Sequence, residues 1–244
     1  ALVSVMLANN EIGVLQPLAE LGAACRQRGI LLHCDATQAV GKIPVDVSDL
    51  NVDLLSFTAH KLYGPKGVGA LYVRRRPRFK LSPQIDGGGQ EHGRRSGTLN
   101  TPGIVGLATA LELAVNEMES ESARLRALRD RLYGQLLANV PDVVLNGPEL
   151  SSPELRLAGN LNVSFPGVDG EALMMGLAAI AVSSGSACTS ANPEPSHVLR
   201  ALHCPDALVR SSLRFGLGRF NTADEINEAA EHVASVVSRL RSLG

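Results

Sequence analysis

VDLLSFTAHKLYGPKGVGA, residues 52–70, decides how the rest of the chain is read. Its first eight residues form a short apolar run of strand length. Where the run ends, a lysine follows a histidine, and three glycines and a proline come next. A lysine in such a loop is most often a solvated surface residue. The sharper possibility is a nucleophilic amine, Lys61, held at the mouth of a sheet. The neighbouring segments have to separate the two.

Outward from this stretch, LVSVML (2–7), ILLHCDA (30–36) and GALYVRR (69–75) are further short apolar runs. Between the first two, Pro17 opens a helix that runs through Arg28, with Leu18, Leu21 and Cys25 at helical spacing and Gly29 as its stop. Strands alternating with helices or long crossovers predict an α/β fold with a mostly parallel sheet. RRRPR (74–78) leaves the last strand and reads as a solvated edge rather than a phosphate or nucleic-acid patch. DGGGQEHGRRSGTLNTP (86–102) is too long and too rich in glycine and charge for a simple turn, which marks it as functional or disordered.

From Thr101 the pattern turns helical. Ile104, Leu107, Ala108, Leu111 and Val115 predict one apolar face, and Leu125, Leu128, Leu132 and Leu136 predict a second helix whose SARLRALRD face meets water. NLNVSFPG (160–167) alternates like a strand, and SSLRFGLGRF (211–220) reads as another. EALMMGLAAI (171–180) reads as a helix whose two methionines fill core space. Thr222 and Glu225 form a capping box before a last helix carrying Ile226, Ala230, Val233, Val237 and Leu240. A boundary near residue 117 divides the chain into a larger domain, 1–117, and a smaller α+β domain, 118–244.

Composition narrows the partners. Of 244 residues, 45% are apolar, the net charge is −1 and the pI is about 6.7, which argues against nucleic acid or an anionic membrane surface. No apolar run approaches the roughly 20 residues needed to span a bilayer. Cys25, Cys34, Cys188 and Cys204 are scattered, with neither metal-ligand nor disulfide-framework spacing, as suits a reducing compartment. The chain starts inside a strand-like stretch, without methionine, and so reads as the C-terminal part of a longer polypeptide.

In open α/β sheets ligands bind beyond the carboxyl ends of the strands. There the first strand delivers Asn9 and Asn10, HCDATQ delivers Asp35 and Gln38, and TAHK delivers Thr58, His60 and Lys61. An amine, a carboxylate, amides, a hydroxyl and an imidazole suit pyridoxal phosphate, which needs a lysine for its aldehyde and a carboxylate for its ring nitrogen. Taken singly, an aspartate after a strand is most often a turn or cap residue. A second group lies in SSGSACTSANPEPSHVLR (183–200), where Cys188 sits among small and polar residues and reads as a mobile, exposed thiol nucleophile. The other three cysteines read as structural. Arg214, inside an apolar strand, has a fork suited to a substrate carboxylate, with a protein Asp or Glu as the lesser alternative.

At these residues the sequence resembles the cysteine desulfurases of the NifS/IscS type, pyridoxal-phosphate enzymes of fold type I. NNEIGVLQP, HCDATQAVGKIPVD, TAHKLYGPKGVGALYVRRRPR, GGGQEHGRRSGT, SSGSACTSANPEPSHVLRA and SSLRFGLGRF carry the resemblance, in order, over almost the whole chain. It implies that Lys61 forms the Schiff base with the cofactor. Asp35 pairs with the ring nitrogen, and Gln38 and Asn10 lie near the phenolic oxygen. Thr58 and His60 hold the phosphate, and Thr98 reaches the phosphate of the partner subunit in a homodimer. Arg214, with Asn10, binds the substrate. Lys61, His60 and Cys188 form the catalytic set. The implied reaction turns L-cysteine into L-alanine and leaves the sulfur on Cys188 as a persulfide, for iron–sulfur scaffold or other sulfur-acceptor proteins. The bacterial cytoplasm is the first compartment expected, the mitochondrial matrix the second. The family's glycine/threonine phosphate loop and ring-stacking histidine have no counterpart here. An aminotransferase needs no thiol nucleophile, so Cys188 argues against one. A selenocysteine lyase, or a catalytically silent scaffold that binds acceptor proteins, would share much of this pattern.

Overall fold

The computed structural model describes residues 1–76, 79–184 and 195–243. The chain forms two units. The first comprises Ala1–Leu7 and Pro17–Met118, the second Ala8–Gln16 and Glu119–Gly244.

The first unit is built on four strands, β1 (Leu2–Met6), β2 (Leu31–Asp35), β3 (Leu54–Thr58) and β4 (Gly69–Val73), in that spatial order. β1, β2 and β3 are parallel, and β4 returns antiparallel to β3. The mostly parallel α/β sheet expected from the sequence is therefore present. Helix α1 (Leu18–Gln27) makes the crossover from β1 to β2 and stops at Gly29, whose φ of 63° is a left-handed turn that glycine adopts without strain. It buries Leu18, Gly22 and Cys25. Leu21, expected on that face, is exposed, because Gly22 takes the close approach: a Cβ there would lie 2.2 Å from the Leu50 carbonyl oxygen. Leu32 and Cys34 are fully buried. The 86–102 stretch is exposed at every residue but Ser96 and holds one short turn, α2 (Gln90–Gly93).

Two helices were expected after Thr101; there is one, α3 (Thr101–Asn139), of 39 residues. No glycine–proline break separates the two apolar patterns, so the backbone hydrogen bonds continue through MESESARLR. Its first part buries Ala114 but exposes Ile104 and Val115, which the periodicity had placed inward.

The second unit packs the later part of α3 and helix α7 (Ala223–Leu243) with the antiparallel sheet β5 (Val144–Leu145), β6 (Asn160–Ser164) and β7 (Ser212–Gly216). Its core includes Leu132, Leu136, Leu161, Val163, Phe165, Leu213, Val233 and Val237. All five residues of β6 are buried instead of alternating, since Asn162 and Ser164 hydrogen-bond Asn146. Arg129, on the face expected to meet water, is fully buried against Asp130 and the Leu150 carbonyl. Helix α4 (Gly170–Gly176) is shorter than expected and leaves Met175 exposed. The capping box of α7 forms as read: Thr222 N–H donates to Glu225 at 3.0 Å and Glu225 N–H to Thr222 Oγ1 at 3.2 Å. Short helices α5 (His197–Ala201) and α6 (Asp206–Arg210) complete the unit.

Candidate functional site

The register of the first unit brings the strand-end residues to one edge. Asp35, the last residue of β2, lies between Met6 of β1 and Ser56 of β3, and Thr58 ends β3 two residues further on. A single 3-10 turn, Ala59–Lys61, follows directly and carries His60 and Lys61, both exposed. The turn closes through Leu62 N–H and Gly64 N–H, which both donate to the Ala59 carbonyl. Between them Tyr63 holds a φ of 64°, an unfavourable value for an aromatic residue. Gly69 then lets β4 approach β3: a Cβ there would lie 2.5 Å from the Phe57 carbonyl oxygen.

Hydrogen bonds fix these side chains. The Thr58 hydroxyl donates to the Val68 carbonyl at 3.2 Å and lies 2.8 Å from His60 Nδ1. One Asp35 oxygen accepts from Thr37 N–H at 2.9 Å; the other takes no hydrogen bond among the described residues. Gln38 Oε1 accepts from Lys42 Nζ at 3.1 Å. Burial, and second the charge of Lys61, lower the Lys42 amine from its ordinary 10.5 to about 8. Burial, then the neighbouring Asp35, push the Cys34 thiol up to about 12, which keeps it out of thiolate chemistry.

The donor set fits pyridoxal phosphate: an exposed amine, a carboxylate with an unused oxygen, an amide, and a hydroxyl–imidazole pair beyond adjacent strand ends. Thr98 lies in the exposed 94–100 segment, where its carbonyl accepts from Arg95. The basic run leaves β4 beside Leu54, at the opposite edge of the parallel strands, and Arg74–Arg76 line an open depression of about 720 Å³ with Phe79, Lys80 and Arg94.

The second unit carries the remaining residues. Arg214, in the middle of β7, donates from one nitrogen to the Asn10 carbonyl at 2.8 Å and from another to Ser183 Oγ at 3.1 Å. These are neutral oxygens, so no carboxylate neutralises the guanidinium among the described residues, and a pairing with a protein Asp or Glu does not hold there. The Asn9–Gly13 turn that Arg214 grips is held from two more sides. Asn160 and Asn162 donate to the Glu11 carbonyl, and Ser196 Oγ donates to the buried Glu11 carboxylate at 2.5 Å. Sequence reasoning missed Glu11, Ser196 and Lys42. Nothing local marked any of the three. Cys188 lies outside the described residues.

Comparison with known proteins follows the same lines. A cysteine desulfurase of Ehrlichia chaffeensis is 54% identical over 243 residues, which is 99% of this chain and 58% of that protein. A cysteine desulfurase of Mus musculus is 53% identical over 100% of this chain and 52% of its own length. A solved NifS-like protein superposes with a TM-score of 0.86 at 37% identity, over 98% of this chain and 61% of that one. The chain thus spans a little over half the length of the curated relatives it matches. The class-V aminotransferase family model matches residues 1–228, and the chain belongs to that family.

Proposed function

We propose that these residues belong to a pyridoxal-phosphate-dependent cysteine desulfurase that converts L-cysteine to L-alanine. The observation that carries the reading is the convergence of Asp35, Gln38, Thr58, His60 and Lys61 at one edge of adjacent parallel strands. The names of the relatives support the same reaction. When bound, pyridoxal phosphate supplies an electrophilic carbon for the substrate amine and an electron sink for charge left at Cα. Asp35 holds the ring-nitrogen proton. Gln38 and Asn10 bind the phenolic oxygen, and Thr58 and His60 orient the phosphate. Lys61 Nζ anchors the cofactor and moves the Cα proton. Arg214 and Asn10 orient the substrate, the arginine through its carboxylate. The Cys188 thiolate attacks the substrate sulfur; the C–S bond breaks, its electron pair and a proton stay with the alanine carbon, and the sulfur remains on Cys188 as a persulfide.

In this reading 1–117 serve the cofactor and 118–244 carry the cysteine segment. A homodimer, with Thr98 reaching the partner's phosphate, agrees with the exposed Leu2, Leu71, Ile104, Val105, Leu113 and Val115 of the first unit. Iron–sulfur scaffolds or other sulfur-acceptor proteins receive the persulfide sulfur. The bacterial cytoplasm, or else the mitochondrial matrix, is the compartment, and the free Cys25, Cys34 and Cys204 agree with a reducing one. Among the described residues no helix is long and apolar enough to cross a membrane.

The test is the visible absorption of the chain with added pyridoxal phosphate, before and after L-cysteine, beside Lys61→Ala and Cys188→Ala. A protein-bound cofactor band that needs Lys61, with cysteine-dependent alanine and persulfide that need Cys188, is the expected result. A band unchanged in Lys61→Ala, or sulfur transfer retained in Cys188→Ala, overturns the assignment.

A further inference from the structure

We propose that Lys42 is a positioning residue that fixes the side-chain amide of Gln38 with its NH₂ group left outward as a donor to the cofactor's phenolic oxygen. The inference rests on the cofactor reading above and adds a residue to it. The chain from Ala36 to Ile43 makes two consecutive turns, with Val40 N–H bonded to the Ala36 carbonyl and Ile43 N–H to the Ala39 carbonyl. Across them Lys42 Nζ lies 3.1 Å from Gln38 Oε1. Gly41, between them, has a φ of 74°, and a Cβ there would lie 2.8 Å from side-chain atoms of Ala114 and Leu62. The turn is therefore held against its neighbours, and the Lys42 side chain with it.

The chemistry of the pair is one-sided. An ammonium has three donors and no acceptor, so the end of the amide that faces it is the oxygen. The NH₂ then has to be the other end. Without a cation at that position an amide is free to turn by half a revolution, and a turned Gln38 would present a carbonyl oxygen to a phenolate, a repulsive contact. A glutamine on the edge of a site is an ambiguous donor; this lysine makes it a definite one. The amine retains its proton at neutral pH even though burial and the charge of Lys61 bring it down to about 8.

The probe is a pair of aldehyde-free pyridoxine phosphate analogues, one with the ring 3-hydroxyl and one without it, titrated calorimetrically into the chain and its variants. Neither analogue can react with Lys61, so the readout is binding and not turnover. The wild type is expected to prefer the hydroxyl-bearing analogue by about tenfold, one charge-assisted hydrogen bond. That preference should drop to what Asn10 alone supplies in Lys42→Met and in Gln38→Ala, persist in full in Lys42→Arg, and fall no further in the Lys42→Met/Gln38→Ala double variant. A full preference in Lys42→Met, or its loss in a Lys42→Arg variant that still unfolds cooperatively, overturns the inference and leaves the cofactor reading standing. A wild type that binds neither analogue overturns the cofactor reading, and the inference with it.

Discussion

Replacing Lys42 by methionine should change how stability depends on pH, and this needs no cofactor. The folded amine titrates near 8 and the unfolded one near 10.5, a difference of about 2.5 units. Between those values the unfolded chain still holds the proton and the folded chain has released it, so stability rises with pH. At about 1.4 kcal/mol per unit, the buried charge costs roughly 3 kcal/mol at pH 7, and most of that cost is gone by about pH 10. The wild-type curve alone hides the effect. Cys34 titrates near 12 folded and 9 unfolded, so it lowers stability above pH 9. The difference between Lys42→Met and wild type removes the Cys34 part. The lost hydrogen bond to Gln38 changes the level of that difference but not its dependence on pH, which the two Lys42 values fix. Urea unfolding midpoints across pH 7 to 10 should show the advantage of Lys42→Met falling by about 2.5 kcal/mol, with most of the slope between pH 8 and 10.5. A difference that stays flat within about 0.5 kcal/mol would mean that Lys42 is not a desolvated ammonium, and the electrostatic account of this edge would fail.

Three further outcomes test the packing and the substrate arginine. Gly22→Ala should destabilise by about 1–3 kcal/mol despite the better helix propensity of alanine, because its Cβ meets backbone, the Leu50 carbonyl at 2.2 Å; thermal unfolding that shows stabilisation would contradict the close approach. Thr222→Ala should cost about 1 kcal/mol by removing an N-cap acceptor. The Glu225 carboxyl, held below its ordinary 4.5 by the Thr222 N–H and then by Asn221, stabilises α7 above that pH and stops doing so as pH falls through its folded value, so circular dichroism on acidification should show α7 fraying. Arg214→Lys keeps the charge but loses the fork that grips Asn10 and Ser183, and should raise KM for L-cysteine by tenfold or more while the cofactor band remains; an unchanged KM would remove the arginine from the substrate site.

Residues whose placement follows from strand position were legible. Asp35, Thr58 and Lys61 fall where apolar runs end, and parallel register then forces them onto one edge, so identifying three strands was enough to gather them. Helix continuity was not legible in the same way. The apolar patterns before and after MESESARLR are separated by a polar stretch, which reads as two helices, but polarity records what meets water and not whether the backbone hydrogen bonds are interrupted. Buried polar residues were the least legible. Arg129, Glu11 and Asn162 look like solvated residues by type, yet all three are buried; Glu11 meets Ser196 and Asn162 meets Asn146, both far along the chain, and Arg129 reaches Asp130 and the Leu150 carbonyl.

Lys42 joins these two cases. It sits in AVGKIPVD, where a lysine between glycine and isoleucine carries no motif of its own. Its proximity to Gln38 is local, but its desolvation and its coupling to Lys61 depend on how β2 and β3 lie side by side. Lys61 stands exposed at the strand end, where a reactive amine needs access, while Lys42 is withdrawn behind it with its charge turned toward Gln38. In the proposed reading, two lysines in one cluster divide the work by burial. The accessible one suits covalent chemistry, and the withdrawn one suits orientation, because a buried ammonium that already spends a donor on Gln38 is constrained in a way that a solvated one is not.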